Sequence, residues 1–456
     1  MKIQSINPAT ETLNAEFELM EAKQALTVCK KSHNAFESWK TTDFSEKAAL
    51  CRKLAGVLRS EKNQCARRMT MEMGKPITQA LAEVEKCAWT AELFAEKAAE
   101  WLSEETVQAE GKKNTVRYEP MGVVLSIMPW NFPFWQALRF AIPAVMAGNT
   151  TVLRHSNVVP LCAQAIGDLF EKAGFPEGVF SVTMTDHAAA ARMIASRYVS
   201  AVSLTGSENA GCKIGSLAGK HLKKCVLELG GSDPFIVLED ADIEKAAKTA
   251  AVARCINSGQ SCIAAKRFIV HEKVAEVFTS LFVQEMRSLK VGDPMDSQTQ
   301  VGPLANKFQR DEVERQVSLS QSLGATALCG GKRPEGKGFF YEPTVLSGIT
   351  KSMPVWKEEV FGPAAPVLVV KNEKQALRVA NDSDLGLGAS IWTVNESRAE
   401  RIVGSLECGV VSVNGMIKSD PRMPFGGIKK SGIGRELGKW GLREFCNIKA
   451  VNVYNP

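Results

Sequence analysis

The sequence contains no C-x-x-C pair although it has 12 cysteines, and only five histidines accompany them. A zinc site or a disulfide framework is therefore disfavoured, and most of the thiols are expected to be small buried residues. No segment approaches the roughly eighteen apolar residues that would span a bilayer, and the start, MKIQSINPAT, lacks the apolar run of a signal peptide. A soluble, cytoplasmic protein with no membrane partner is expected. Charge of one sign is also scarce. Lys and Arg number 56 against 50 Asp and Glu, a surplus of +6, and no basic run is interleaved with aromatics, so nucleic acid is not an expected partner. Internal repeats and low-complexity linkers are absent too.

What remains is a chain of 456 residues, 45% hydrophobic, long enough for two or three domains. Residues 17–108 mix charged and apolar residues at helical spacing and read as helices. Beyond residue 113 short β-rich runs alternate with helical stretches: MGVVLSIM, a helix after Pro133, TTVLRH, the helix LCAQAIGDLFEKAG, GVFSVT, VSAVSLT, a helix from Ser207, and KKCVLEL. That alternation predicts a parallel sheet covered on both faces. A second unit follows with PFIVL, a helix from Asp242 to Ile256, AKRFIV and the helix KVAEVFTSLFVQEMRSL. Two runs, NTVRYEPM and AVNVY, read as strands isolated from either sheet; such strands often pair across a subunit boundary, or else form a solvated hairpin.

Four stretches carry candidate chemistry. In INSGQSC a Gly-hinged polar loop ends on Cys262, a better nucleophile than Cys255, which lies on the apolar face of a helix. The histidines show no arrangement suited to a Cys/His protease. In CVLELGGSDP, Glu228 ends a strand just before Gly230 and Gly231, a position that suits a half-buried general base acting on water; an ordinary carboxylate beside a turn fits as well. In MPWNFPFWQALR two prolines fix the backbone around Asn131, whose amide could stabilise an oxyanion, although the aromatics fit core packing equally. In LTGSENAG a turn with Gly206 and Gly211 opens a helix as a phosphate site would, but fits neither G-x-G-x-x-G nor the Walker A pattern.

Together these stretches resemble the aldehyde dehydrogenase superfamily over essentially the whole chain, on PWNFP at 129–133, TGS at 205–207, ELGG at 228–231, GQSC at 259–262, EEVFGP at 358–363 and PFGGIKKSGIGRE at 424–436. The resemblance implies two parallel-sheet α/β domains, one Rossmann-like for the cofactor and one catalytic, with a small β flap for oligomerisation. Its boundaries would be 1–110 and 120–229 for the NAD(P)-binding domain, 230–435 for the catalytic domain, and 111–119 with 436–456 for the oligomerisation strands and tail. A homodimer or homotetramer is implied.

The same resemblance implies NAD(P)-dependent oxidation of an aldehyde, with Cys262 as nucleophile, Glu228 as the base that activates water and Asn131 holding the oxyanion. Cofactor contacts would come from Trp130, Arg154, Ser156, Asn157, Gly206, Ser207, Gly211, Leu229, Glu359 and Phe361, and no metal is implied. The family usually has lysine where this chain has Arg154 and often shows Lys-Pro-Ser-Glu where it reads RHSN. Asn157 in place of that glutamate removes repulsion of a 2′-phosphate while Arg154 keeps a cation, so either NAD or NADP would be accepted. The sequence is similar to the succinate-semialdehyde branch, in which Arg139 would clamp a distal carboxylate, with Trp135 and Phe425 as pocket walls and Ser419 or Arg422 within reach. The expected substrate is a small aldehyde bearing a carboxylate. Another small aldehyde, or a cofactor-independent cysteine hydrolase, are the rival readings.

Overall fold

The computed structural model describes residues 2–456. Two parallel sheets carry the architecture. The first is six-stranded, in the spatial order Gly432–Ile433, Lys224–Glu228, Val199–Thr205, Val123–Met128, Thr150–His155 and Phe180–Thr183. Its five long strands are mutually parallel. Strands Val123–Met128 and Thr150–His155 are buried along their whole length, as a sheet covered on both faces requires. Their order reverses direction between Val123–Met128 and Val199–Thr205, which opens a crevice at the carboxyl ends of these two strands.

The second sheet has seven strands, in the order Thr326–Cys329, Thr344–Ser347, Ala364–Val370, Arg267–His271, Pro234–Val237, Gly388–Trp392 and Val410–Val413. All neighbours in it are parallel except the first pair. The mixed α/β class is therefore as the sequence pattern implies.

The stretch expected to be helical resolves into four helices, Ala22–Trp39, Phe44–Ser60, Lys62–Met73 and Ile77–Trp101. Its first residues instead complete a hairpin, Lys2–Ile6 against Leu13–Glu18. Helix His187–Ala195, unanticipated from sequence, is short and rich in alanine, with Asp186 capping its start. The two isolated strands pair with each other. Cys446–Val453 pairs antiparallel with Lys113–Pro120, and Glu105–Thr106 completes a three-stranded ribbon. Strand Gly432–Ile433 pairs with the edge strand Lys224–Glu228, and Glu436 reaches the interior of the first domain.

Candidate active site

The loop Ile256–Gly259 holds three successive residues in the left-handed region: Asn257 at φ 52°, Ser258 at φ 56° and Gly259 at φ 79°. Two of them bear side chains, so the turn is strained and must be held by its surroundings. Asn257 donates its backbone N–H to the Gln79 side-chain oxygen at 2.8 Å and its Nδ2 to the Asn131 carbonyl at 2.6 Å. Ser258 Oγ donates to the Gly302 carbonyl, and Arg254 donates to that of Gly259. At Gly259 a Cβ would lie 2.3 Å from the Gly362 backbone, so only glycine fits. Beyond the turn, Lys266 Nζ donates to the carbonyls of Ser261 at 2.9 Å and Cys262 at 2.7 Å. The thiol-bearing residue is thus fixed by its own backbone.

Cys262 is partly exposed and lines a cavity of about 240 Å³ together with Asn131, Gln136, Glu359 and Phe361. Burial pushes its thiol up to about 12, while the charges of Arg139 and Lys266 pull it down. Asn131 enters from the segment before helix Pro133–Met146, whose first-position proline suits that start. Its Nδ2 donates to the Gln260 carbonyl at 3.1 Å, and its Oδ1 accepts from Gln136 Nε2 at 3.0 Å. Those two contacts fix which end of the amide faces the cavity and leave one N–H free. The same helix start is held by Glu83, which accepts the backbone N–H groups of Phe134 and Trp135 and is ion-paired to Lys75.

Glu228, 2% exposed, does not line that cavity. Its Oε1 is buried without a hydrogen-bond partner and faces Gly426, where a Cβ would come within 2.6 Å. Desolvation, then the nearby Glu436, hold its carboxyl well above the usual carboxylate range, against the opposing charges of Arg139 and Arg435.

A second cavity of about 600 Å³ shares Pro129, Trp130, Thr205, Gly206 and Ser207 with the first, so one crevice runs along the strand ends. Its far part is lined by Arg154, Ser156, His187 and Lys213. Arg154 donates to the Thr185 carbonyl at 3.1 Å beside the cavity. Arg154 and Lys213 suit an anionic group there, and Lys213 was not anticipated from sequence. Ser207 caps helix Glu208–Lys220 through the Ala210 N–H. Leu229 and Glu359 line the first cavity, Glu359 accepting from the Gly231 N–H at 3.1 Å and standing 3.4 Å from Lys266 Nζ. Phe361 meets Trp130 edge-on, ring centroids 5.8 Å apart. Two expected contacts fall elsewhere. Gly211 packs against the Leu229 side chain, where a Cβ would lie 2.4 Å away, and Asn157 lines neither cavity.

The substrate residues differ most from expectation. Arg139 and Glu436, each 3% exposed, form an ion pair of 2.5 Å, and Arg139 also donates to Thr205 Oγ1 and lies over the Phe425 ring. Its charge is matched inside the protein, so it is not a free clamp. Phe425 is buried against it rather than forming an open wall. Arg422 is exposed and paired with Asp420 at 2.6 Å. Ser419, by contrast, accepts from Trp135 Nε1 at 3.1 Å and Lys86 Nζ at 2.8 Å.

A cysteine and a positioned amide in one cavity, opening into a crevice between parallel strands, match an aldehyde dehydrogenase, and the description "Aldehyde dehydrogenase family" fits residues 1–451. The chain belongs to that family. It is 45% identical over 451 residues to a probable succinate-semialdehyde dehydrogenase (NADP+) of Synechocystis, covering 99% of each chain. A succinate-semialdehyde dehydrogenase (NADP+) of Mycobacterium leprae is likewise 45% identical over 454 residues, again 99% of each. Among solved structures, the succinic semialdehyde dehydrogenase of Streptococcus pyogenes in complex with NADP+ superposes with a TM-score of 0.97 at 36% identity, covering 99% of this chain and all of that one. An aldehyde dehydrogenase of Brucella melitensis does so with a TM-score of 0.97 at 34% identity, covering 100% and 95% of the two chains.

Proposed function

We propose that this aldehyde dehydrogenase oxidises succinate semialdehyde to succinate, with NADP as the favoured dinucleotide. The observation that carries the chemistry is the shared cavity of Cys262 and Asn131 at the mouth of the dinucleotide crevice. The relatives named for this substrate, aligned end to end at 44–45% identity, support the substrate class.

The Cys262 thiolate attacks the aldehyde carbon, and the oxyanion of the resulting thiohemiacetal is received by the free Asn131 N–H and the Cys262 backbone N–H. When bound, the dinucleotide supplies the two-electron acceptor for the hydrogen on that carbon. What remains on Cys262 is a thioester. Glu228, whose unpartnered oxygen has the raised proton affinity of a base, takes a proton from a water that attacks the thioester carbon and releases the acid and the Cys262 thiolate. Arg154, Ser156 and Lys213 bind the adenosine end and its 2′-phosphate; Glu359 and Phe361 hold the nicotinamide end.

Residues 1–110 and 120–229 form the dinucleotide domain in this reading and 230–435 the catalytic one. The ribbon edge Cys446–Val453, with Ile448 62% exposed, serves a homodimer or homotetramer. The cytoplasm is the proposed compartment, since all 12 cysteines are unpaired thiols. The test is NAD(P)H absorbance with succinate semialdehyde and with butanal, each against both dinucleotides. Faster turnover of the semialdehyde with NADP supports the reading; no reduction with any aldehyde refutes it.

A further inference from the structure

Lys266 is 1% exposed, lines neither cavity and takes no part in the steps above. Its backbone N–H donates to the Asp233 carbonyl at 3.0 Å, which ties it to the entry of strand Pro234–Val237 in the second sheet. From there its side chain reaches back to the nucleophile loop and donates only to backbone. Nζ meets the Ser261 carbonyl at 2.9 Å, that of Cys262 at 2.7 Å and that of Ala264 at 3.4 Å. Its only ion pair among the described residues is with Glu359, at 3.4 Å. An ammonium is a costly way to fasten a loop, since burial pushes its amine down against the pull of Glu359 and Asp233. The charge is explained by the peptide it touches.

The Ser261 carbonyl belongs to the same peptide unit as the Cys262 N–H. That unit is planar and trans, so the two groups point in opposite directions. A cation on the oxygen draws electron density from the nitrogen and leaves the N–H a stronger donor. The same oxygen accepts a second time, from the Ala264 N–H at 3.2 Å. The Cys262 N–H, in contrast, donates to no acceptor among the described residues, and Cys262 lines the cavity beside Asn131. A polarised and unused donor next to the nucleophile is what a developing oxyanion requires.

We infer that Lys266 is a positioning residue for the oxyanion site: seated on the Ser261 carbonyl, it orients and polarises the peptide whose N–H receives the oxyanion formed at Cys262. This rests on Cys262 being the nucleophile, as proposed above. The bond to the Cys262 carbonyl keeps the ammonium in register with the loop, and Glu359 supplies its counter-charge. The effect operates at both tetrahedral stages, attack on the aldehyde and attack of water on the thioester. It does not operate in a reaction at sulfur that forms no oxyanion.

The experiment compares two reactions of Cys262 in the dinucleotide-free enzyme: acylation by p-nitrophenyl acetate, which passes through a tetrahedral oxyanion, and alkylation by iodoacetamide, which does not. Nitrophenolate release gives the first rate, and peptide mass analysis at Cys262 gives the second. Lys266→Met should lower the ratio of acylation to alkylation about 10-fold, less than the roughly 100- to 1,000-fold lost when an oxyanion donor is removed outright. A change in thiol ionisation moves both rates together and cancels in the ratio. Lys266→Gln keeps an N–H donor and loses the charge; its ratio should fall in the same direction, and it serves if the Met variant does not fold. Lys266→Arg keeps the charge and should restore the ratio toward wild type. A wild-type ratio in folded Lys266→Met or Lys266→Gln, or an Arg variant no better than Gln, overturns the inference and leaves the chemistry of Cys262 standing. Undiminished nitrophenolate release by Cys262→Ala overturns the nucleophile assignment and the role of Lys266 with it.

Discussion

The Cys262 thiol meets two opposed influences: burial raises its pKa to about 12, and the charges of Arg139 and Lys266 lower it. Reactivity therefore depends on what enters the cavity, since a polar ligand that improves solvation of the anion shifts the balance. Cys262→Ala should abolish turnover in a dehydrogenase assay while leaving dinucleotide binding measurable by fluorescence. Glu228 presents the converse case. Its carboxyl is held high by desolvation and by Glu436, so the active, ionised base is gained as pH rises. Turnover limited by hydrolysis of the thioester should accordingly increase with pH in the wild type. Glu228→Gln should give one burst of NAD(P)H in stopped flow and then stall; steady turnover by this variant would show that another group activates the water.

At the scale of elements, the decisive unit is the turn that delivers the nucleophile. Asn257 and Ser258 occupy left-handed conformations that cost on the order of 1–3 kcal/mol each, tolerated because Gln79, Asn131, Gly302 and Gln260 all bond to the loop. Gly259 has no such latitude. Gly259→Ala should lower both the melting temperature and kcat, because a Cβ 2.3 Å from the Gly362 backbone must push the segment leading to Cys262 aside. Melting and kinetics indistinguishable from wild type would mean the turn is looser than this packing indicates. The adjacent helix Pro133–Met146 is fastened in a comparable way, by the Glu83 carboxylate on its first N–H groups, where a negative charge also complements the helix dipole.

On the scale of the whole molecule, residues 431–436 bind this late stretch of chain to the edge of the first sheet and the interior behind it. Strand Gly432–Ile433 pairs with the edge of the first sheet, Ser431 Oγ donates to the Gly230 carbonyl at 2.6 Å, and Glu436 meets Arg139 in the interior. Removing one member of such a buried pair leaves the other uncompensated, a loss of about 3–5 kcal/mol. Glu436→Gln should therefore unfold at markedly lower denaturant concentration than wild type. Because Glu436 also raises the Glu228 pKa, the pH dependence of turnover should move toward lower pH. A wild-type unfolding midpoint would show that Arg139 finds another partner.

The sequence by itself determined the α/β class, the run of strands and helices, and the nucleophile, amide and base candidates. Those are written in local features: alternation of β-rich and helical runs, a Gly-hinged loop, prolines about Asn131, a carboxylate at a strand end. What it does not record is which partner a charge finds. Arg139 suggested a clamp because Glu436, nearly three hundred positions away, could be brought against it only by folding. Gly211 suggested phosphate binding, yet close packing on Leu229 is what excludes a side chain there. Only the tertiary structure decided these cases, because whether a buried charge is satisfied or left free depends on which distant groups share its space, and no local pattern records that.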